Sequence, residues 1–249
     1  MTDPNPIILC SMIAAPRKSP KSLQSSYDSL TAAGFNPYII AEPGTILPDP
    51  CMHKINDQKK GNFFNWISAA HAVADSTVWA DGLLITEDDA LHSRNIRPFL
   101  EHIMWPSPRC GAISLYCPNV PYYRKPTARL FQSDRPNHVG ALSLLFRPEC
   151  LREILADEEA VSSWRGSWDQ KHRNVPPHEI KAVDAWIGET MIKHGWNIWV
   201  CSRSLVQHYH PPEAPDNSTL NHGAATRARS AYKWIGMNGD PWKTYNIKR

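Results

Sequence analysis

Three consecutive acids, Glu87-Asp88-Asp89, follow directly on the apolar run Gly82-Leu-Leu-Ile-Thr86. Packing gives no reason to set charge there, and the carboxyl ends of strands in open α/β sheets are where ligands bind. Carboxylates so placed call for a cation. A hard divalent ion such as Mg2+ or Mn2+ takes one or two carboxylates from a protein and fills its shell with water and substrate phosphates. Asp89 is the expected direct ligand, with Asp88 reaching the ion through water and Glu87 holding a nucleoside or supporting the ligands from behind. The competing reading is a solvated acidic turn capping the next helix, since acids favour helix N-termini and Ser93 and Asn95 follow closely.

Two distant features weigh against that bland reading. His208 and His210, within Ser204-Leu-Val-Gln-His-Tyr-His210, can each offer a neutral imidazole to the same ion. Asp184, in Lys181-Ala-Val-Asp-Ala-Trp-Ile-Gly-Glu189, opens an apolar helix. It serves there either as a helix cap or, facing a cleft, as a base that removes a hydroxyl proton.

These groups need elements to hold them. Ile7 to Met12 reads as a buried strand, followed by a Pro/Arg/Lys/Ser loop from Pro16 to Lys21 and a helix from Ser22 to Ala33 stopped by Gly34. A second strand spans Asn36 to Ala41, which makes a β-α-β unit with parallel neighbours. Gly44 to Lys60 is expected as loop and Asn62 to Ala74 as a helix presenting Phe63, Trp66, Ile67 and Ala70 on one face. After the acids come a helix from Asn95 to Ile103 and a strand from Gly111 to Tyr116. Pro118 to His138 shows no clean period and is expected as loops or short hairpins over the sheet. Gly140 to Phe146 reads as a strand, Pro148 to Glu158 as a helix, and Val161 to Pro177 as irregular. A helix from Ala182 to His194, a strand from Asn197 to Cys201 and a mostly looped remainder close the chain. The alternation predicts an α/β fold around a mainly parallel sheet flanked by helices.

Composition agrees with such a fold. Hydrophobic residues make up 42% of the 249 and charged residues 20%, which excludes a disordered or membrane-embedded chain. No apolar run approaches the roughly 20 residues of a spanning helix. The start, Met1-Thr-Asp-Pro-Asn-Pro6, has no basic region followed by an apolar one, so the expected location is the cytoplasm. Six cysteines without a C-x-x-C pair read as buried free thiols. The net charge of +3 is unevenly placed: after Asn221 come Arg227, Arg229, Lys233, Lys243, Lys248 and Arg249 against Asp240 alone, a stretch that reads first as a solvated tail and second as one able to approach phosphates.

From Ile7 to Ser218 the order of these pieces resembles the GT-A glycosyltransferases. The resemblance rests on the first strand with its Pro/Arg loop, Gly61-Asn-Phe-Phe-Asn-Trp66, Leu84-Ile-Thr-Glu-Asp-Asp-Ala90, Gly140-Ala-Leu-Ser-Leu-Leu-Phe146, Val183-Asp-Ala-Trp-Ile-Gly188 and Ser204-Leu-Val-Gln-His208. It implies a single GT-A (Rossmann-like) domain over 1–249: a nucleotide-sugar-binding half at 1–115, an acceptor-binding half at 116–220 and a basic tail at 221–249. In that family a D-x-D motif binds the metal and the nucleotide diphosphate, and Glu-Asp-Asp stands in its place here.

The resemblance implies Asp89 and His208 as ligands of Mn2+ or Mg2+, with a UDP-sugar as the default donor. Asp184 becomes the catalytic base of an inverting hexosyl or pentosyl transfer, with Glu189 as second choice. Ala14, Pro16 and Arg17 line the nucleotide pocket beside Glu87, Asp88 and Asp89. Trp164, Trp168 and Trp186 are candidate stacking surfaces for sugar, and His210 a further substrate contact. Tyr116 to His138 aligns with nothing in the family, so the acceptor stays open between a saccharide or glycoconjugate and a hydroxymethylated DNA base. The alternative from another class is a metal-dependent hydrolase or nuclease using the same acids.

Overall fold

The structure is a computed structural model and describes residues 5–17, 21–76, 79–119, 121–133, 140–164, 182–209 and 231–247. Strand β1 (Ile8–Ala14) leads into helix α1 (Lys21–Ala32), and β2 (Tyr38–Ala41) returns parallel to β1. The helix ends in a left-handed turn at Gly34, φ +102°, with the Phe35 N–H bonded to Leu30 O and the Gly34 N–H to Thr31 O. That pair of bonds satisfies the last helical carbonyls. Strand β3 (Met52–Ile55) then forms the parallel edge beside β2.

Beyond helix α2 (Gly61–Ala74), β4 (Gly82–Glu87) pairs with β1 on its other side, also parallel. A short strand β5 (Ala90–His92), helix α3 (Ile96–Ile103) and β6 (Cys110–Ser114) follow. After a 3-10 turn at Pro121–Tyr123 come β7 (Arg129–Ser133), β8 (Ser143–Phe146) and helices α4 (Pro148–Leu155) and α5 (Glu158–Ser162). The chain continues through α6 (Val183–Lys193), β9 (Asn197–Ser202), β10 (Val206–His208) and α7 (Pro241–Tyr245).

The main sheet has eight strands in the order β3-β2-β1-β4-β8-β6-β9-β7, and β10 pairs with β5 in a separate two-stranded ribbon. Four of the seven pairings in the main sheet are parallel, so the sheet is mixed but mainly parallel. Because side chains alternate across a strand, Leu83, Ile85, Leu144 and Phe146 enter a core under α2, α4 and α6. Leu84, Leu145 and Ile113 enter the opposite core, with α1, α3 and α7. Helices therefore cover both faces, which explains why the strands read as continuous apolar runs.

Four expectations need correction. The Gly44–Lys60 segment contains β3, whose four residues are all exposed and so give no apolar signal. The acids do not lead straight to the helix: β5 intervenes, held by β10 from far downstream. The middle segment supplies β7, which joins the main sheet antiparallel to β9 instead of lying over it. The helix expected to run to Glu158 stops at Leu155, because the Asp157 carboxylate accepts from the Ala160 N–H and starts α5. At the other end of the chain, Trp242 and Tyr245 are buried against Phe99.

Candidate active site

Strand β1 has β2 on one side and β4 on the other, so the chain reverses its winding at the β1/β4 pair. A crevice opens outside the carboxyl ends at such a switch point. Register sets Ile13 opposite Glu87, so the Ala14–Arg17 exit and the acids emerge side by side. Glu87 ends β4, while Asp88 and Asp89 form the turn into β5.

The three acids have different surroundings. Asp88 is 2% exposed. Its Oδ2 accepts from the Ala15 N–H at 3.0 Å and Arg17 Nε at 3.2 Å, and its Oδ1 accepts from Arg17 Nη2. This burial and pairing overturn the solvated-turn reading, and the next helix has no side-chain cap from the acids. Asp89 lies between Arg17 and His208, with Oδ2 3.4 Å from Arg17 Nη2 and Oδ1 3.7 Å from His208 Nδ1. The Glu87 carboxyl, withdrawn from water and faced by Asp89 and Asp88, is pushed up to about 8, with Asp184 adding to the rise and Arg17 opposing it.

His208 reaches Asp89 through backbone pairing. In the β5/β10 ribbon His208 is opposite Ala90, and the Tyr209 N–H donates to Asp89 O. The Tyr116 ring meets the imidazole edge to face at 5.3 Å. On the other side of the crevice the Glu87 N–H donates to Leu142 O, and the Gly140 N–H donates to Asp184 Oδ2 at 2.8 Å. The second oxygen of Asp184 accepts from the Ala185 N–H, so both backbone contacts fix this carboxylate at the start of α6.

Below the acids, His92 is fully buried with Nε2 3.1 Å from Ser143 Oγ and 3.3 Å from Thr86 Oγ1. Burial lowers its pKa to about 3, so the ring is neutral. Glu42, at the end of β2, accepts from the N–H groups of Lys60 and Gly61 and so closes the start of α2. Asn65 in α2 donates to Ala14 O. Sequence reading passed over His92, Glu42 and Asn65; an acid directly after an apolar strand was a signal for Glu42 too.

Of the other candidates, Pro16 is exposed in the β1 exit loop and Glu189 is half-buried on α6. Trp164 stacks on Phe63 at 4.2 Å. Trp186 is 3% exposed, packs edge-on against Phe63 and Trp66, and donates to Ala160 O. Trp168 and His210 lie outside the described residues.

The Asp89 carboxylate suits Mn2+ or Mg2+, while the His208 imidazole is a softer donor that favours Mn2+ over the harder Mg2+. Their 3.7 Å separation exceeds a hydrogen bond, yet two donors each about 2.1 Å from one ion can lie up to about 4.2 Å apart. Among the described residues no group of three His, Cys, Asp or Glu could hold a metal by itself. Water and substrate oxygens must therefore complete any shell here.

No protein-family model and no curated protein matches the chain. Among solved structures, GalNAc-T7 with UDP, GalNAc and Mn2+ superposes with a TM-score of 0.51 at 12% identity, covering 86% of this chain. The chain has a GT-A fold. It spans only 46% of that structure's length. A mannosyltransferase, PcManGT from Pyrobaculum calidifontis, in complex with GDP-Man and Mn2+, aligns more loosely. Its TM-score is 0.44 at 10% identity, over 85% of this chain and 59% of the other. In this GT-A fold the acids lie at the carboxyl end of the β1/β4 pair, and no described helix is long and apolar enough to cross a membrane.

Proposed function

We propose that the chain is a metal-dependent glycosyltransferase that moves a sugar from a nucleoside-diphosphate sugar to an acceptor hydroxyl, with UDP as the first nucleotide to try. The observation that carries this is the meeting of Arg17, Asp89 and His208, from three separate parts of the chain, just past the end of β4, with Asp184 near enough to Glu87 to act on its charge. Asp89 and His208 would hold Mn2+ or Mg2+, which when bound neutralises charge on the diphosphate as it departs. Arg17 supplies further positive charge and a fork of N–H donors for phosphate oxygens. Ala14 and Pro16 border the nucleotide.

Asp184, held by two backbone N–H groups, takes the acceptor's proton as the acceptor oxygen bonds to the anomeric carbon. The bond from that carbon to the phosphate oxygen breaks, and the diphosphate leaves with the electron pair. A single displacement of this kind inverts the anomeric centre. Glu189 is the second candidate for the base. A saccharide or glycoconjugate acceptor is the working assignment, and Trp164 is the aromatic group proposed to meet it.

The test is a thermal-shift screen of the protein with UDP and GDP, with and without Mn2+. One diphosphate should raise the melting temperature only with the ion, because a ligand at about 100 times its dissociation constant stabilises by about 2.7 kcal/mol. Asp89→Ala should remove the shift. No shift with either nucleotide would overturn the transferase reading in favour of a hydrolase.

A further inference from the structure

We infer that Asp88 is a positioning residue for the donor: it fastens Arg17 beside Asp89, so that the guanidinium covers the acids before an ion binds and faces the diphosphate afterwards. This rests on the transferase reading above and assigns the middle acid a task other than metal binding.

A carboxylate as buried as Asp88 must be paired in the folded chain, because an unpaired charge in a low-dielectric site is strongly unfavourable. Three donors already serve it: the Ala15 N–H and two nitrogens of the Arg17 fork. Three of its roughly four lone-pair sites are therefore engaged, and a metal ion bound directly at Oδ1 would be set against the guanidinium that Asp88 already holds. Asp89 differs, since neither His208 at 3.7 Å nor Arg17 at 3.4 Å approaches it as closely as Arg17 approaches Asp88.

The geometry divides the labour between the two acids. The guanidinium is gripped on its Asp88 side, while 41% of the Arg17 side chain remains exposed to a ligand entering the crevice. The tie also crosses the switch point, linking the β1 exit loop to the β4–β5 turn. Asp89 and His208 would hold the ion, whose charge would neutralise the diphosphate, and the grip of Asp88 would keep the guanidinium within the site beside them. An arginine already held in place lowers the ordering cost of binding phosphate oxygens.

The experiment uses Asp88→Asn, which keeps an oxygen for the Ala15 N–H and removes the charge, alongside Arg17→Gln on the exposed side. Mn2+ binding is followed by electron paramagnetic resonance, and UDP and GDP binding at saturating Mn2+ by calorimetry. Asp88→Asn should bind Mn2+ within about three-fold of wild type, while its affinity for the diphosphate falls about ten-fold, or about 1.4 kcal/mol. Arg17→Gln should lose a similar amount, and the double variant no more than either single one, because both remove the same interaction. Loss of Mn2+ binding by Asp88→Asn equal to that of Asp89→Asn, or fully additive losses in the double variant, overturns this inference alone. A wild-type protein that binds neither diphosphate with Mn2+ overturns the transferase reading as well.

Discussion

His92 shows how one side chain under the site sets a pH response. Its ring is sealed among Thr86, Ser143 and the backbone of β5, and burial lowers its pKa from 6.5 to about 3. The folded state thus refuses a proton that the unfolded chain accepts. Stability from this group is fully present above about pH 6.5 and is lost as pH falls toward 3. At pH 5 the loss should reach about 2 kcal/mol, from roughly 1.4 kcal/mol per pH unit over the unfolded protonation range. Urea denaturation of wild type and His92→Gln at pH 7.5 and pH 5 checks this: the variant is weaker at both values, but its stability changes less between them. Equal pH sensitivity in the two proteins would remove His92 as the cause. Glu87 shifts the opposite way from the same cause: burial disfavours the charged form, which for a carboxylic acid is the deprotonated one, and the neighbouring Asp89 and Asp88 add to the rise.

At the scale of elements, the site depends on where strands end and which loops bend back over them. Gly140, just before β8, has φ +100°, and a Cβ there would lie 2.5 Å from the Tyr116 ring. The same residue donates to Asp184, and the same ring packs on His208. Gly140→Ala should therefore disturb both sides of the crevice through a single added methyl group. Strain at positive φ and overpacking together predict a loss of about 1–3 kcal/mol. The Mn2+-dependent diphosphate shift should also weaken, read in the same thermal-shift screen. Gly34→Ala provides the control, since it has a positive φ and a Cβ there would press on Arg97 in α3, so it should lower stability without altering the ligand shift.

For the whole molecule, two cores on opposite faces of one sheet hold the carboxyl edge rigid. The C-terminal stretch takes part: Asp240 caps α7 through the Trp242 N–H, and Trp242 and Tyr245 pack on Phe99 in α3. Tyr245 also donates to Arg203 O, in the connection between β9 and β10 that leads to His208. Trp242→Ala should cost about 3 kcal/mol, by analogy with other buried Trp truncations, measured as a lower urea midpoint at unchanged m-value. A solvated tail would show no change.

The alternation of apolar runs with helical periods determined the α/β class, and Leu83-Leu84-Ile85 before Glu87 placed an acidic cluster at a strand's carboxyl end. These features are local, because one turn of helix or one pleat of strand is enough to display them. Only the tertiary structure decided that Asp88 would pair with Arg17, that His208 would face Asp89, and that Gly140 would hold Asp184. Those contacts follow from the β1/β4, β4/β8 and β5/β10 registers. Register is a property of two strands together, set by hydrogen bonding and shared burial between segments far apart in the chain. The exposed edge strand β3 and the three-residue β5 show the same limit, since neither has a pattern of its own and each forms because a neighbour's unpaired backbone accepts it.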